Sequence, residues 1–288
     1  MARDTVRIGV VADGYHRFTV GEDGSGDGVR LAAEAREAEE LGYELFALSD
    51  HLHGSRPTFD PWTALTWVAA STTTLTVVTD VLGLPYRHPA VLAKMAESLD
   101  RLSASRLVLG IGNGGYDPEF TAFGLASRTP REKVDALAEG IEMMQALWGQ
   151  TSASLSGDYY RIDAAQLSPP AARRVPVWVG GYGPRSLDTI GRLADGWLPS
   201  YARLGPDGSR DAIARVRSAA TEAGRDAEAL SLVTNISVDP GSRSAVRTAD
   251  TLRDVSDLGF DTLLVSGLHT SGERRWFAEE VAPKVREY

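Results

Sequence analysis

Arg106-Leu107-Val108-Leu109-Gly110-Ile111-Gly112-Asn113-Gly114-Gly115 is the stretch that separates two candidate folds. Arg106–Ile111 reads as an apolar β-strand, and the glycines behind it carry the spacing G-x-G-x-x-G from Gly110 to Gly115. A dinucleotide-binding sheet needs a helix that opens within that loop, with an acidic residue at the end of the next strand roughly 20 residues on. Here the loop runs on to Thr129-Pro130-Arg131-Glu132, a capping box with proline at its first helical residue, and the next element is a helix to about Trp148. The glycines are read instead as places where a ligand or backbone approaches closely.

The same rhythm extends in both directions, with short apolar runs separated by longer segments of helical period. Val6–Ala12, Glu44–Leu48, Leu75–Leu82, Arg106–Ile111, Val175–Gly180, Gly196–Leu198, Leu230–Val238 and Phe260–Ser266 read as strands. A helix from about Val29 to Leu41 ends at Gly42, while Asp60-Pro61 and His88-Pro89 open the helices after the second and third strands. Gly149–Pro170 has no helical period and reads as an insertion with a short hairpin around Ser156-Gly157-Asp158. Eight βα units predict a (β/α)8 TIM barrel of class α/β, with that insertion after the fourth unit. The 288 residues suit one such domain, spanning 1–288.

Composition narrows the chemistry. Hydrophobic residues at 43% and charged residues at 24% are those of a globular protein with a sizeable core. With 39 acidic against 30 basic residues, the net charge of −9 offers no attraction for nucleic acid or anionic lipid. The chain contains no cysteine, so disulfides, thiolate nucleophiles and thiolate metal sites are excluded. Pro61–Thr79 is uncharged, but its Thr and Ser content and the break at Ser71–Thr74 argue against a membrane span. The first residues lack a signal-peptide pattern, so a cytoplasmic protein is expected.

A barrel presents its chemistry where strands end, and each histidine follows a strand: His16 the first, His51 and His53 the second, His88 the third and His269 the eighth. His16, His53 and His269 read as solvated loop residues. Two imidazoles at His51-Leu52-His53 have metal-ligand spacing, but barrel hydrolases of that kind recruit further histidines from strands five and six. No histidine lies between His88 and His269, so no metal is expected.

Four segments together resemble the luciferase-like monooxygenase superfamily, in particular its branch that uses the deazaflavin coenzyme F420. They are Ala47-Leu48-Ser49-Asp50-His51-Leu52-His53, Thr79-Asp80-Val81-Leu82-Gly83-Leu84-Pro85-Tyr86-Arg87-His88-Pro89, Leu109-Gly110-Ile111-Gly112-Asn113-Gly114 and Val177-Trp178-Val179-Gly180-Gly181-Tyr182-Gly183-Pro184-Arg185, the last followed by Ala194-Asp195-Gly196-Trp197. The resemblance covers nearly the whole chain in the right order.

The resemblance implies a cofactor site. Asp50 would bind a polar edge of the cofactor, and His51 would sit near the reactive carbon and exchange a proton as hydride moves. Gly83, Gly112, Asn113 and Gly114 would also bind the cofactor. Asp80–Val81 would form a cis peptide supporting the ring face. Gly181, Tyr182 and Gly183, just before a helix opening at Pro184, would hold its phosphate, a role that glycine N–H groups at a helix start suit.

One departure concerns acid chemistry: sugar-phosphate dehydrogenases of this branch have a glutamate where this chain has Gly115, with Tyr116 and Glu119 as the nearby substitutes. The leading expectation is an F420-dependent oxidoreductase acting on a small organic molecule, as a homodimer. The alternatives are an FMN-dependent monooxygenase supplied by a reductase, and a cofactor-binding protein without turnover.

Overall fold

The computed structural model describes residues 6–12, 27–52, 59–242 and 244–286. In chain order the strands are β1 (Arg7–Val11), β2 (Leu45–Leu48), β3 (Thr76–Thr79), β4 (Leu82–Gly83), β5 (Leu107–Gly112), β6 (Ala153–Ser156), β7 (Arg161–Ala165), β8 (Val177–Gly180), β9 (Gly196–Trp197), β10 (Ser231–Ser237) and β11 (Thr262–Ser266). The helices are α1 (Asp27–Glu40), α2 (Pro61–Ser71), α3 (Pro89–Leu102), α4 (Asp117–Ala122), α5 (Pro130–Gly149), α6 (Pro184–Leu193), α7 (Tyr201–Glu222), α8 (Ala245–Ser256), α9 (Ser271–Trp276) and α10 (Ala282–Arg286).

The strands are continuous apolar runs because both of their faces are covered. All pairings outside the β6–β7 hairpin are parallel, in the order β3-β2-β1-β11-β10-β9-β8-β5, and β5 returns to β3 through Val77 opposite Leu107. With β3 and β4 counted as one interrupted strand, this is a closed eight-stranded TIM barrel, and the open doubly wound alternative is ruled out. Side chains alternate across the wall. Leu45, Ala47, Val78, Trp178, Val233 and Leu264 fill the barrel, whereas Val10, Phe46, Val77 and Val179 pack outward under the helices. Phe46 and Trp197 are fully buried, and truncating either to Ala would cost about 3–5 kcal/mol.

The turns do what their residues predict. Asp60 caps α2 by accepting from Thr63 N at 2.8 Å, and Thr129 with Glu132 forms the capping box of α5. The expected insertion is the β6–β7 hairpin, held against α5 by Glu139, whose carboxylate accepts from the N–H groups of Asp158, Tyr159 and Tyr160. Two features differ from the sequence reading. The third strand is not continuous over 75–82, since it breaks at Asp80–Val81 between β3 and β4. Helix α4 interrupts what read as a plain loop before Thr129; with fewer than two turns it carries too little periodicity to be recognised. Among the described residues no helix is long and apolar enough to cross a membrane.

Candidate active site

A cavity of about 850 Å³ opens at the C-terminal ends of the barrel strands. Parallel strands bring the loops after β2, β4, β5, β8 and β9, and Asn235 near the end of β10, to that one face, so residues far apart in sequence share its wall. Asp50, His51, Asp80, Val81 and Gly83 line it from the β2–β4 side, with Gly112, Asn113 and Gly114 from β5 and Gly181, Tyr182 and Gly183 from β8.

The peptide bond between Asp80 and Val81 is cis. The bulge around it explains two of the glycines of β5. A Cβ on Gly110 would lie 1.9 Å from the Thr79 carbonyl oxygen, and one on Gly112 would lie 2.9 Å from Val81 Cγ2. These glycines therefore admit the bulge, while Gly115 faces open space. Across the mouth, Asn235 Nδ2 donates to Asp80 Oδ2 at 2.6 Å.

Asp50 is buried, and one of its oxygens is already engaged: Oδ2 accepts from Gly83 N at 3.0 Å and Arg87 Nη1 at 2.7 Å. Burial pushes its carboxyl above the usual range despite the Arg87 charge. Arg87 also pairs with Asp60, so the residue expected to meet a cofactor edge joins the β2 loop to the cap of α2 as well. Gly83 is packed beneath the Tyr86 ring, where a Cβ would meet Tyr86 Cε2 at 2.4 Å.

Of the two residues read as nearby substitutes for an acid at Gly115, both line the cavity. Glu119, on α4, is 1% exposed, and its Oε1 lies 3.0 Å from His51 Nδ1 while its Oε2 accepts from the Tyr86 hydroxyl at 2.5 Å. All three residues line the cavity. Burial and the Glu119 charge push the Tyr86 phenol well above its usual range, so it remains a donor. Helix α4 is held by Lys133, a buried lysine that donates to the Gly114 carbonyl at 2.9 Å, pairs with Asp117 and lies over the Phe120 ring.

On the β8 side, Gly183 precedes α6, and the N–H groups of Arg185 and Ser186 come before the first intrahelical bond, from Leu187 N to Gly183 O. Among the described residues Ser186 Oγ is buried with no hydrogen-bond partner, and Gly183 faces open space. Tyr182 accepts from Ser200 N at 3.0 Å and stacks under the Arg203 guanidinium. Arg131, Arg185 and Arg203 line the same cavity. An orphaned hydroxyl beside a helix start and arginines is a donor set suited to a bound phosphate.

Sequence reasoning did not find Tyr86, Asn235, Ser186 or the three arginines. Only Asn235, a polar residue near the end of an apolar strand, left a recognisable signal. His88 caps α3, accepting from Ala90 N, and His269 is exposed after β11. His16 and His53 lie outside the described residues. Among the described residues no group of histidine and carboxylate side chains could hold a metal.

The family model described as luciferase-like monooxygenase matches residues 9–283. The chain belongs to that family. An F420-dependent hydroxymycolic acid dehydrogenase of Mycobacterium tuberculosis is 32% identical over 230 residues, covering 78% of this chain and 63% of the relative. An F420-dependent glucose-6-phosphate dehydrogenase of Nakamurella multipartita is 31% identical over 215 residues, covering 72% and 62%. The matched stretches thus span less than two thirds of either dehydrogenase. The luciferase-like barrel superposes on an F420-dependent secondary alcohol dehydrogenase in complex with an F420-acetone adduct, with a TM-score of 0.84, 18% identity and coverage of 98% of this chain and 99% of that one. A long-chain alkane monooxygenase gives a TM-score of 0.82 at 15% identity, covering 99% and 92%. At these identities the likeness is one of fold.

Proposed function

We propose that the protein is an F420-dependent oxidoreductase that moves a hydride between the deazaflavin and a small organic substrate. The observation that carries this reading is that one cavity holds both a histidine buttressed by a buried carboxylate and a glycine turn with an orphaned hydroxyl at a helix start. Relatives named as F420-dependent dehydrogenases, at 31–32% identity, support the choice of cofactor. When bound, the deazaflavin supplies two-electron hydride chemistry that side chains lack. Gly181, Tyr182, Gly183 and Ser186 would hold its phosphate. Gly112, Asn113, Gly114, Asp80 and Val81 would border the ring, with Asp50 and Gly83 fixing the wall beside it. His51 would exchange the proton that accompanies the hydride. We also propose a single domain over residues 1–288, working in the cytoplasm as a homodimer.

The test follows the deazaflavin's visible absorbance on mixing the protein with panels of alcohols, sugars and sugar phosphates. Turnover that falls about 10²–10⁴-fold in His51→Ala, with cofactor affinity retained, supports the assignment. Tight F420 binding with no turnover on any panel would favour a carrier protein.

A further inference from the structure

We propose that Glu119 is the positioning residue of His51: it holds the neutral imidazole in the Nδ1–H form and so makes Nε2 the atom that exchanges a proton with substrate. The role of His51 rests on the function proposed above; the tautomer does not.

The argument begins with what a buried carboxylate can do. Ionised, it only accepts hydrogen bonds, so each neighbour within reach must donate to it. At 1% exposure, Glu119 needs such donors, because an uncompensated buried charge is costly. The Tyr86 hydroxyl is one donor at Oε2, at 2.5 Å, and is kept protonated by burial and by the Glu119 charge. His51 Nδ1 is 3.0 Å from Oε1, and beside an ionised carboxylate it too is a donor. A neutral imidazole has one N–H, so placing it on Nδ1 leaves the lone pair on Nε2. The same logic orients the histidine of a Ser-His-Asp triad.

The asymmetry of exposure fits this division of labour. Glu119 is enclosed, whereas the His51 side chain is 53% exposed at the cavity. The enclosed member fixes geometry and the open member meets substrate. With the cofactor supplying the hydride chemistry, Nε2 would take the proton of a substrate hydroxyl in the oxidation direction and return it in reduction. Helix α4 carries Glu119 just beyond Gly115, so the carboxylate reaches His51 from a helix.

The experiment reads the tautomer directly, without cofactor. Protein labelled with ¹⁵N-histidine gives long-range ¹H–¹⁵N spectra in which protonated and bare ring nitrogens are distinct, and His51→Gln identifies the His51 signals. Wild type should show His51 as Nδ1–H. Glu119→Ala should move it toward the Nε2–H form that solvated imidazoles prefer, and Tyr86→Phe should leave it as Nδ1–H. The His88 signals serve as a check that the variants remain folded. With F420 present, Glu119→Ala should lower kcat about 10²-fold, with the cofactor Kd within about threefold. Nε2–H in wild type, or Nδ1–H unchanged in Glu119→Ala, overturns the proposal. Failure to bind F420 would overturn the functional reading alone.

Discussion

The Lys133 ammonium donates to the Gly114 carbonyl at 2.9 Å, so a lysine at the start of α5 holds the loop that leads into α4. Its other contacts, with Asp117 and the Phe120 ring, flank Glu119 on both sides. Lys133→Met keeps the apolar stem and removes the donor. The variant should lose about 1–3 kcal/mol of stability in denaturant titrations. It should also lower kcat about tenfold, with little change in cofactor Kd, and shift the His51 tautomer partway toward that of Glu119→Ala. A variant that loses stability while keeping both kcat and the tautomer would reduce Lys133 to a structural tie.

Ser186 gives a prediction of opposite sign in the two states of the protein. Its Oγ is buried without a partner among the described residues, so Ser186→Ala in the cofactor-free protein should be neutral or slightly stabilising by thermal denaturation. If the hydroxyl serves the cofactor's phosphate, the same change removes a hydrogen bond to a charged group worth roughly 1.5–3 kcal/mol, about tenfold to a hundredfold in affinity. Equal cofactor affinity for wild type and Ser186→Ala would move the phosphate away from α6.

Gly181 tests the same turn by addition. A Cβ there would fall 2.2 Å from Ser186 Oγ, so Gly181→Ala must displace that hydroxyl. Cofactor affinity should fall at least as far as in Ser186→Ala, and equilibrium titration of the two variants side by side checks the order.

Glu39 predicts how stability responds to acid. Although burial raises its pKa, hydrogen bonds from the Thr74 N–H and hydroxyl and from the N–H groups of Thr73 and Leu75 outweigh that and bring it from 4.5 to about 2. A folded-state pKa below the unfolded one contributes stability that is complete above pH 4.5 and is lost as pH falls toward 2. The group is partly exposed, so screening reduces the effect to on the order of 1 kcal/mol. Glu39→Gln should be less stable than wild type by about that amount at pH 7, with the gap narrowing in urea titrations below pH 4.5. A gap that does not change with pH would mean that the turn, rather than the charge, is what Glu39 supports.

The barrel was legible because its strands are apolar on both faces and its turns carry cap and proline signals, as at Asp60-Pro61 and Thr129-Pro130. The cavity wall was legible through the loops that the family resemblance picked out, and Asp80–Val81 is cis as that resemblance implied. The chain of contacts through Glu119 was not. His51 and Glu119 are 68 residues apart, and the short helix that joins them has no periodic signature. Nor does sequence show that Asp50 spends an oxygen on Arg87 and Gly83, or that Ser186 lacks a partner; both depend on where neighbouring elements end.

Equilibrium titration of the purified protein with F420 and with FMN, in parallel and in one buffer, tests the proposed function most directly. The account predicts saturable F420 binding at micromolar or lower concentration, with FMN at least tenfold weaker. Micromolar FMN binding without detectable F420 binding would contradict it and make the protein a flavin monooxygenase of the same fold.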